Sequence, residues 1–351
     1  MKKKTHANHV AARGIPSILG LSLLGTLCAG VVEGQVPTDA SEASLTRDDK
    51  TQCGATLDFQ EVESYDPSTS ELSSAWVEQH QRPVGQIVWR SDLAARYANP
   101  GNVSGARWCS GTLIAEDLFL TAGHCFDQDI NGSVFPRDGA GRAISSRAAA
   151  REMVVNFNFQ YDPLGRIQKE DSYAITQLEE YRLGGLDFAV VRLAGSPGSR
   201  WGIATLGNTL PDRGDTLAII GHPRSEPKKI SIGTLLAISG ISINYGDLDT
   251  LGGNSGSGIL DAGGTVVGVH TNGGCTALGG SNRGVTIDAI RAQSPLVAAR
   301  SQPGPNRTPT PDLDGCQLSM DGRSGLATWS CLLAALLLVR RRPWWGILAK
   351  Q

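Results

Sequence analysis

Between Pro83 and His270 the chain is a succession of short apolar stretches, each cut off by Gly, Pro, Asn or Asp. That punctuation leaves no room for long helices and reads as many short strands. The stretches are Pro83-Val-Gly-Gln-Ile-Val-Trp, Thr112-Leu-Ile, Leu118-Phe-Leu-Thr, Met153–Tyr161, Asp187–Leu193, Thr216–Gly221, Ile230–Ile238, Ser257-Gly-Ile-Leu and Thr265–His270. Met153–Tyr161 alternates apolar and polar residues, the period-two mark of a half-buried strand. With 43 glycines and 6% aromatic residues, the composition suits tight turns in an all-β barrel or sandwich. Only Thr286–Arg300 near the end reads as a helix, and no internal repeat is present.

The 351 residues exceed what one such domain needs, and the two ends differ in composition from the body. Residues 1–34 begin with three lysines and turn apolar from Ile15 to Val32, the form of a secretory signal peptide. An uncleaved anchor is the other reading. Leu27 stands where a lipoprotein signal needs a small residue, so Cys28 is not read as a lipid attachment site. Residues 35–80 are polar with little periodicity and read as a propeptide or N-terminal arm, ordered around Cys53. Residues 81–300 hold the strand pattern. Residues 301–324 open with a Pro- and Thr-rich linker, and 325–351 form a short apolar tail ending in Arg340-Arg-Arg. The tail's 14 apolar-rich residues, Leu326–Val339, fall short of a bilayer-spanning helix of roughly 17–25. The following arginines suit the cytoplasmic side of a chain whose body is exported. Tethering at a membrane or cell surface fits this order, and the alternative is an unstructured C-terminus.

Charge excludes one class of partner. The two ends are basic, which leaves −9 for residues 35–339. Nucleic-acid affinity rests on Lys and Arg neutralising phosphates, and the body has no basic stripe, so no nucleic-acid partner is expected. Export would also make the cysteines disulfide candidates. Neither C-x-x-C nor H-E-x-x-H occurs, so no zinc site and no cofactor are expected. Asp127-Gln-Asp129-Ile-Asn131-Gly-Ser, with Asp138 twelfth, has the spacing of a calcium loop. Pro136, and Asp rather than Glu at the twelfth place, favour a polar surface turn.

Three segments carry chemistry: Thr121-Ala-Gly-His124-Cys125, Leu186-Asp187-Phe and Gly252-Gly253-Asn-Ser255-Gly-Ser. Each alone has an ordinary structural use, as a satisfied histidine, a turn aspartate or a glycine-rich loop. Together, in the order His, Asp, Ser, they meet a specific chemical demand. A serine hydroxyl needs an adjacent base to become a nucleophile, and imidazole titrates near neutral pH. A carboxylate then fixes the imidazole tautomer. The glycines let the backbone aim the amides of Gly253 and Ser255 at a developing oxyanion. An α/β-hydrolase would show G-x-S-x-G with its acid and histidine after the serine. Here residue 257 is serine and both partners come first. That arrangement is excluded.

These segments resemble the catalytic segments of the chymotrypsin superfamily of serine proteases. Within it the chain is most similar to the bacterial glutamyl endopeptidases, through Asn254 before Ser255, Gly221-His-Pro and Gly268-Val-His270-Thr271. The resemblance covers roughly residues 80–295. It implies two six-stranded antiparallel β-barrels with a short C-terminal helix, and a triad of His124, Asp187 and Ser255. It also implies an oxyanion hole from Gly253 and Ser255, and secreted or surface-held hydrolysis of protein or peptide substrates. A Cys109–Cys125 disulfide around the histidine loop follows by the same likeness. Cys275 lacks the usual partner, Leu251 standing in its place, so a Cys53–Cys275 link is expected instead. Gly258 departs from the family's proline. The separation of 63 from His124 to Asp187 points to an insertion around 138–183.

The pocket stays open between two specificities. Asp249 occupies the place where trypsin-like enzymes receive Lys or Arg. His270 and Thr250 occupy the places that bind substrate Glu in glutamyl endopeptidases, and the resemblance favours Glu or Asp. A catalytically silent surface-binding protein of the same fold is the alternative from another class.

Overall fold

Along Phe188–Leu193 alternate side chains enter two different cores: Phe188 and Val190 join one, Ala189, Val191 and Leu193 the other. Thr216–Gly221 does the same, with Leu217 and Ile219 on one side and Ala218 and Ile220 on the other. Strands buried on both faces read as continuous apolar runs rather than alternating ones. The computed structural model describes residues 51–128, 132–276 and 278–300. The expected signal peptide, linker and tail lie outside the described residues, as do Asp129 and Asn131. Among the described residues no helix is long and apolar enough to cross a membrane.

Thirteen strands are present among the described residues. A two-residue strand β1 (Gln60–Glu61) precedes two barrels. The first comprises β2 (Val84–Trp89), β3 (Arg107–Leu113), β4 (Leu118–Thr121), β5 (Met153–Phe157), β6 (Asp171–Arg182) and β7 (Phe188–Leu193). They pair in the order β2-β3-β4-β7-β6-β5, with β5 returning to β2. The second comprises β8 (Thr216–Gly221), β9 (Lys229–Ser239), β10 (Ser242–Gly246), β11 (Gly258–Asp261), β12 (Val266–Asn272) and β13 (Asn282–Thr286). Its order is β9-β10-β13-β12-β11-β8, closed by β8 on β9. All of these pairings are antiparallel, and β1 adds to the outer edge of β9. The fold is two six-stranded barrels, as the resemblance implied. One core fills each barrel, and a third lies where the barrels and flanking helices meet.

Several expected boundaries move. The strand expected over 153–161 ends at Phe157, because Asn158 takes a left-handed φ of 66° and turns the chain. The expected helix over 286–300 is two helices, Ile287–Gln293 and Pro295–Ala298. Thr286 caps the first, Ser294 caps the second, and Pro295 has no N–H with which to continue a helix through the break. The segment 138–183 is not simply inserted, since it contains β5 and β6 of the first barrel. The extra length lies in the connections 127–152 and 158–170. Asp138 accepts the N–H groups of Ala140 and Arg142 at 2.9 and 3.0 Å and pairs with the Arg142 side chain, as a surface turn does.

The arm differs most from its reading. Residues 51–80 are ordered throughout, not around Cys53 alone. Val62, Tyr65, Leu72 and Val77 are buried in the core shared with the barrels. Helix Ser74–Gln81 is capped by Ser73, and its last carbonyl accepts from the wholly buried Lys228 Nζ at 2.8 Å. Burial pushes that ammonium down to about 7. Periodicity failed to mark the arm because long-range contacts, not a repeating face, hold it in place.

Candidate active site

His124 lies in the single turn Gly123–Phe126 that follows β4, and Asp187 lies immediately before β7. Because β4 and β7 are hydrogen-bonded neighbours, two residues 63 apart in sequence become adjacent. Gly123 allows this turn to sit tightly: a Cβ there would stand 1.8 Å from the carbonyl oxygen of Arg182. Asp187 holds His124 at two points. Its Oδ2 lies 2.6 Å from Nδ1, and its Oδ1 accepts the His124 backbone N–H at 2.8 Å. With Nδ1–H directed at the carboxylate, the Nε2 lone pair is left to act as a base.

Ser255 comes from the loop between β10 and β11 and is anchored across the barrel boundary. Ser110 on β3 donates its N–H to the Ser255 carbonyl at 2.9 Å and its hydroxyl to the Gly253 carbonyl at 2.8 Å. The Cys109–Cys125 disulfide, with Cα atoms 6.3 Å apart, ties that strand to the histidine turn. Cys125 Sγ stands 3.9 Å from the Ser255 carbonyl. Thus His124 and Asp187 are in direct contact and Ser255 borders the same turn. Its Oγ hydrogen-bonds to no described residue. Contacts of this kind often tighten only when substrate arrives.

The backbone before Ser255 follows a course open only to glycine. Gly253 has φ +99°, and a Cβ there would lie 2.3 Å from the His222 carbonyl oxygen, so only glycine fits. The Gly252 carbonyl accepts the Arg224 N–H at 2.6 Å. In a planar trans peptide C=O and N–H point in opposite directions, so this contact turns the Gly253 N–H away from Arg224. Neither the Gly253 nor the Ser255 N–H donates to a described residue. Two free amides flanking Asn254 are what an oxyanion requires.

The three pocket residues occupy different situations. Both oxygens of Asp249 are taken: Oδ1 by the Cys53 N–H and Oδ2 by the Asp58 N–H, each at 2.6 Å. Burial pushes the Asp249 carboxyl upward in pKa, against those amides. Thr250 is buried and its hydroxyl, closed off from solvent, has no partner among the described residues. His270 is buried on β12, with Nδ1 2.5 Å from the Tyr245 hydroxyl. Burial first, then the nearby His124, hold the His270 ring down to about 3, so it is neutral at any working pH.

The arm is tied beside Asp249 by the link expected from the sequence. Cys53 and Cys275 are disulfide-bonded across a separation of 222 residues, with Cα atoms 4.8 Å apart. Asn282 donates to the carbonyls of Thr51 and Leu248 at 2.8 and 2.9 Å and accepts from the amides of Gly274 and Cys275. Ser110, Tyr245 and Asn282 were missed because none belongs to a chemical motif. Their places follow only from strand register.

Residues 109–269 match the family model described as a trypsin-like peptidase domain. No curated protein matches the chain. Among solved structures, that of a Glu endopeptidase in complex with MPD is similar over 72% of this chain and 100% of that one, at 20% identity and TM-score 0.46. The match runs from β3 to β12 through both barrels, so residues 109–269 carry a trypsin-like peptidase domain.

Proposed function

We propose that this peptidase is a secreted serine endopeptidase that cleaves after Glu, and more weakly after Asp, through an acyl-enzyme on Ser255. The observation that carries the reading is the two-point grip of Asp187 on His124 beside the Ser255 loop. As Ser255 Oγ attacks the scissile carbonyl carbon, His124 Nε2 takes its proton and the carbonyl oxygen becomes an oxyanion. The amides of Gly253 and Ser255 stabilise that charge. Collapse breaks the C–N bond, and His124 returns the proton to the leaving amine. Water, deprotonated by the same nitrogen, then releases the acid and restores Ser255.

The pocket supports Glu over Lys or Arg. A cationic side chain needs a free carboxylate, and both oxygens of Asp249 already bind amides of the arm. A Glu carboxylate needs donors, and neutral His270 supplies one N–H. Thr250 would add a second only if its closed hydroxyl became accessible. Two disulfides suit an oxidising compartment, consistent with export directed by 1–34 and surface retention by 325–351. Profiling the secreted protein on a peptide library tests the specificity. Cleavage after Glu should exceed that after Lys or Arg by about a hundredfold or more, the discrimination expected when charged partners are matched rather than opposed. Cleavage confined to Lys and Arg would overturn it.

A further inference from the structure

Tyr245 on β10 and His270 on β12 flank β13, and their side chains meet within the second barrel. The tyrosine is wholly buried, and its hydroxyl has one hydrogen-bond partner among the described residues, His270 Nδ1. Two proton arrangements satisfy that distance. If Nδ1–H donated to the phenol oxygen, the phenolic proton would be left in the core without an acceptor, a costly outcome for a buried donor. If the phenol donates to Nδ1, both groups are satisfied. Burial drives the Tyr245 pKa well above its ordinary value, so the proton needed for this donation stays on the phenol.

A neutral imidazole that accepts at Nδ1 carries its one proton on Nε2. The carbonyl of Arg283 beside the ring also favours a proton on it. Beyond Tyr245 and the Arg283 carbonyl, the ring has no further hydrogen-bond partner among the described residues, and His270 keeps 3% exposure. The His270 backbone is held in place, because its N–H donates to the Ser257 carbonyl at 2.9 Å and its carbonyl accepts the Gly256 N–H at 2.8 Å. Both tethers are to the two residues that follow Ser255.

We propose that Tyr245 is a positioning residue for specificity: by donating to His270 Nδ1 it fixes the Nε2–H tautomer, so that His270 offers substrate a donor and not a lone pair. The role rests on the reading of His270 as the receiver of the Glu side chain. With the opposite tautomer, an unprotonated nitrogen would face a carboxylate and repel it. A phenol behind the ring thereby decides the sign of the recognition in front of it.

The test pairs a substrate-free readout with kinetics on the mature chain. In protein labelled with 15N-histidine, NMR of the wild type should show His270 protonated at Nε2 and bare at Nδ1. Tyr245→Phe should introduce the Nδ1–H form. It should also lower the ratio of kcat/KM for Glu over Ala peptides about tenfold to hundredfold, the worth of one hydrogen bond to a charged group. A wild-type ring protonated at Nδ1 would overturn the proposal, even if the variant does not fold. So would a Tyr245→Phe protein that keeps both the Nε2–H form and the full Glu-to-Ala ratio. A wild type with no Glu preference would overturn the specificity role through the underlying reading, distinguishable because the tautomer is measured without substrate.

Discussion

Replacing Asp187 by asparagine should lower kcat by about ten-thousandfold while leaving the barrels folded. The carboxylate does two things at once, bonding Nδ1 at 2.6 Å and the backbone N–H of the same histidine at 2.8 Å. Asparagine preserves the shape but can present its NH2 to Nδ1, which then accepts and leaves the proton on Nε2. A protonated Nε2 cannot take the proton of Ser255. Stopped-flow or steady-state hydrolysis of a Glu peptide reads the loss, and circular dichroism checks the fold. A variant within tenfold of the wild type would mean that Asp187 does not set the tautomer.

A second large effect is expected at the arm. The double substitution Cys53→Ser with Cys275→Ser should lower the unfolding free energy by about 3–5 kcal/mol, the usual loss for a native disulfide closing a long loop. The link spans 222 residues, so its removal frees much chain in the unfolded state. It also loosens the amides of Cys53 and Asp58 from Asp249, whose buried carboxylate would then lack donors. Urea unfolding measures the first consequence, and Glu-peptide kinetics should show a raised KM from the second. An unchanged urea midpoint would indicate that the arm docks without help from the disulfide.

How much of this was legible in the sequence depended on whether a feature is local. His124, Asp187 and Ser255 each sit in a short segment whose composition serves its chemistry, so all three could be named before their neighbours were known. Strands such as Phe188–Leu193 were readable because both faces are apolar. β6, with its mixed and half-exposed pattern, was absorbed into a supposed insertion. The arm was misread for a related reason. Its turns and its single helix have no shared period, and what orders them lies about 200 residues away, at Asp249, Cys275 and Asn282. Asp249 itself shows the limit of motif reading. Its position left Lys or Arg open as a rival to Glu, and only the fold reveals the backbone amides that occupy it.

The central claim is that Ser255 becomes a nucleophile through His124, and covalent labelling tests it most directly. The mature protein is treated with a fluorophosphonate, digested and mapped by mass spectrometry, alongside a His124→Ala variant. One adduct on Ser255 in the wild type, with labelling slowed by a factor of about a thousand or more in the variant, is the predicted result. An active wild type that labels at another residue, or labels equally well without His124, would contradict it.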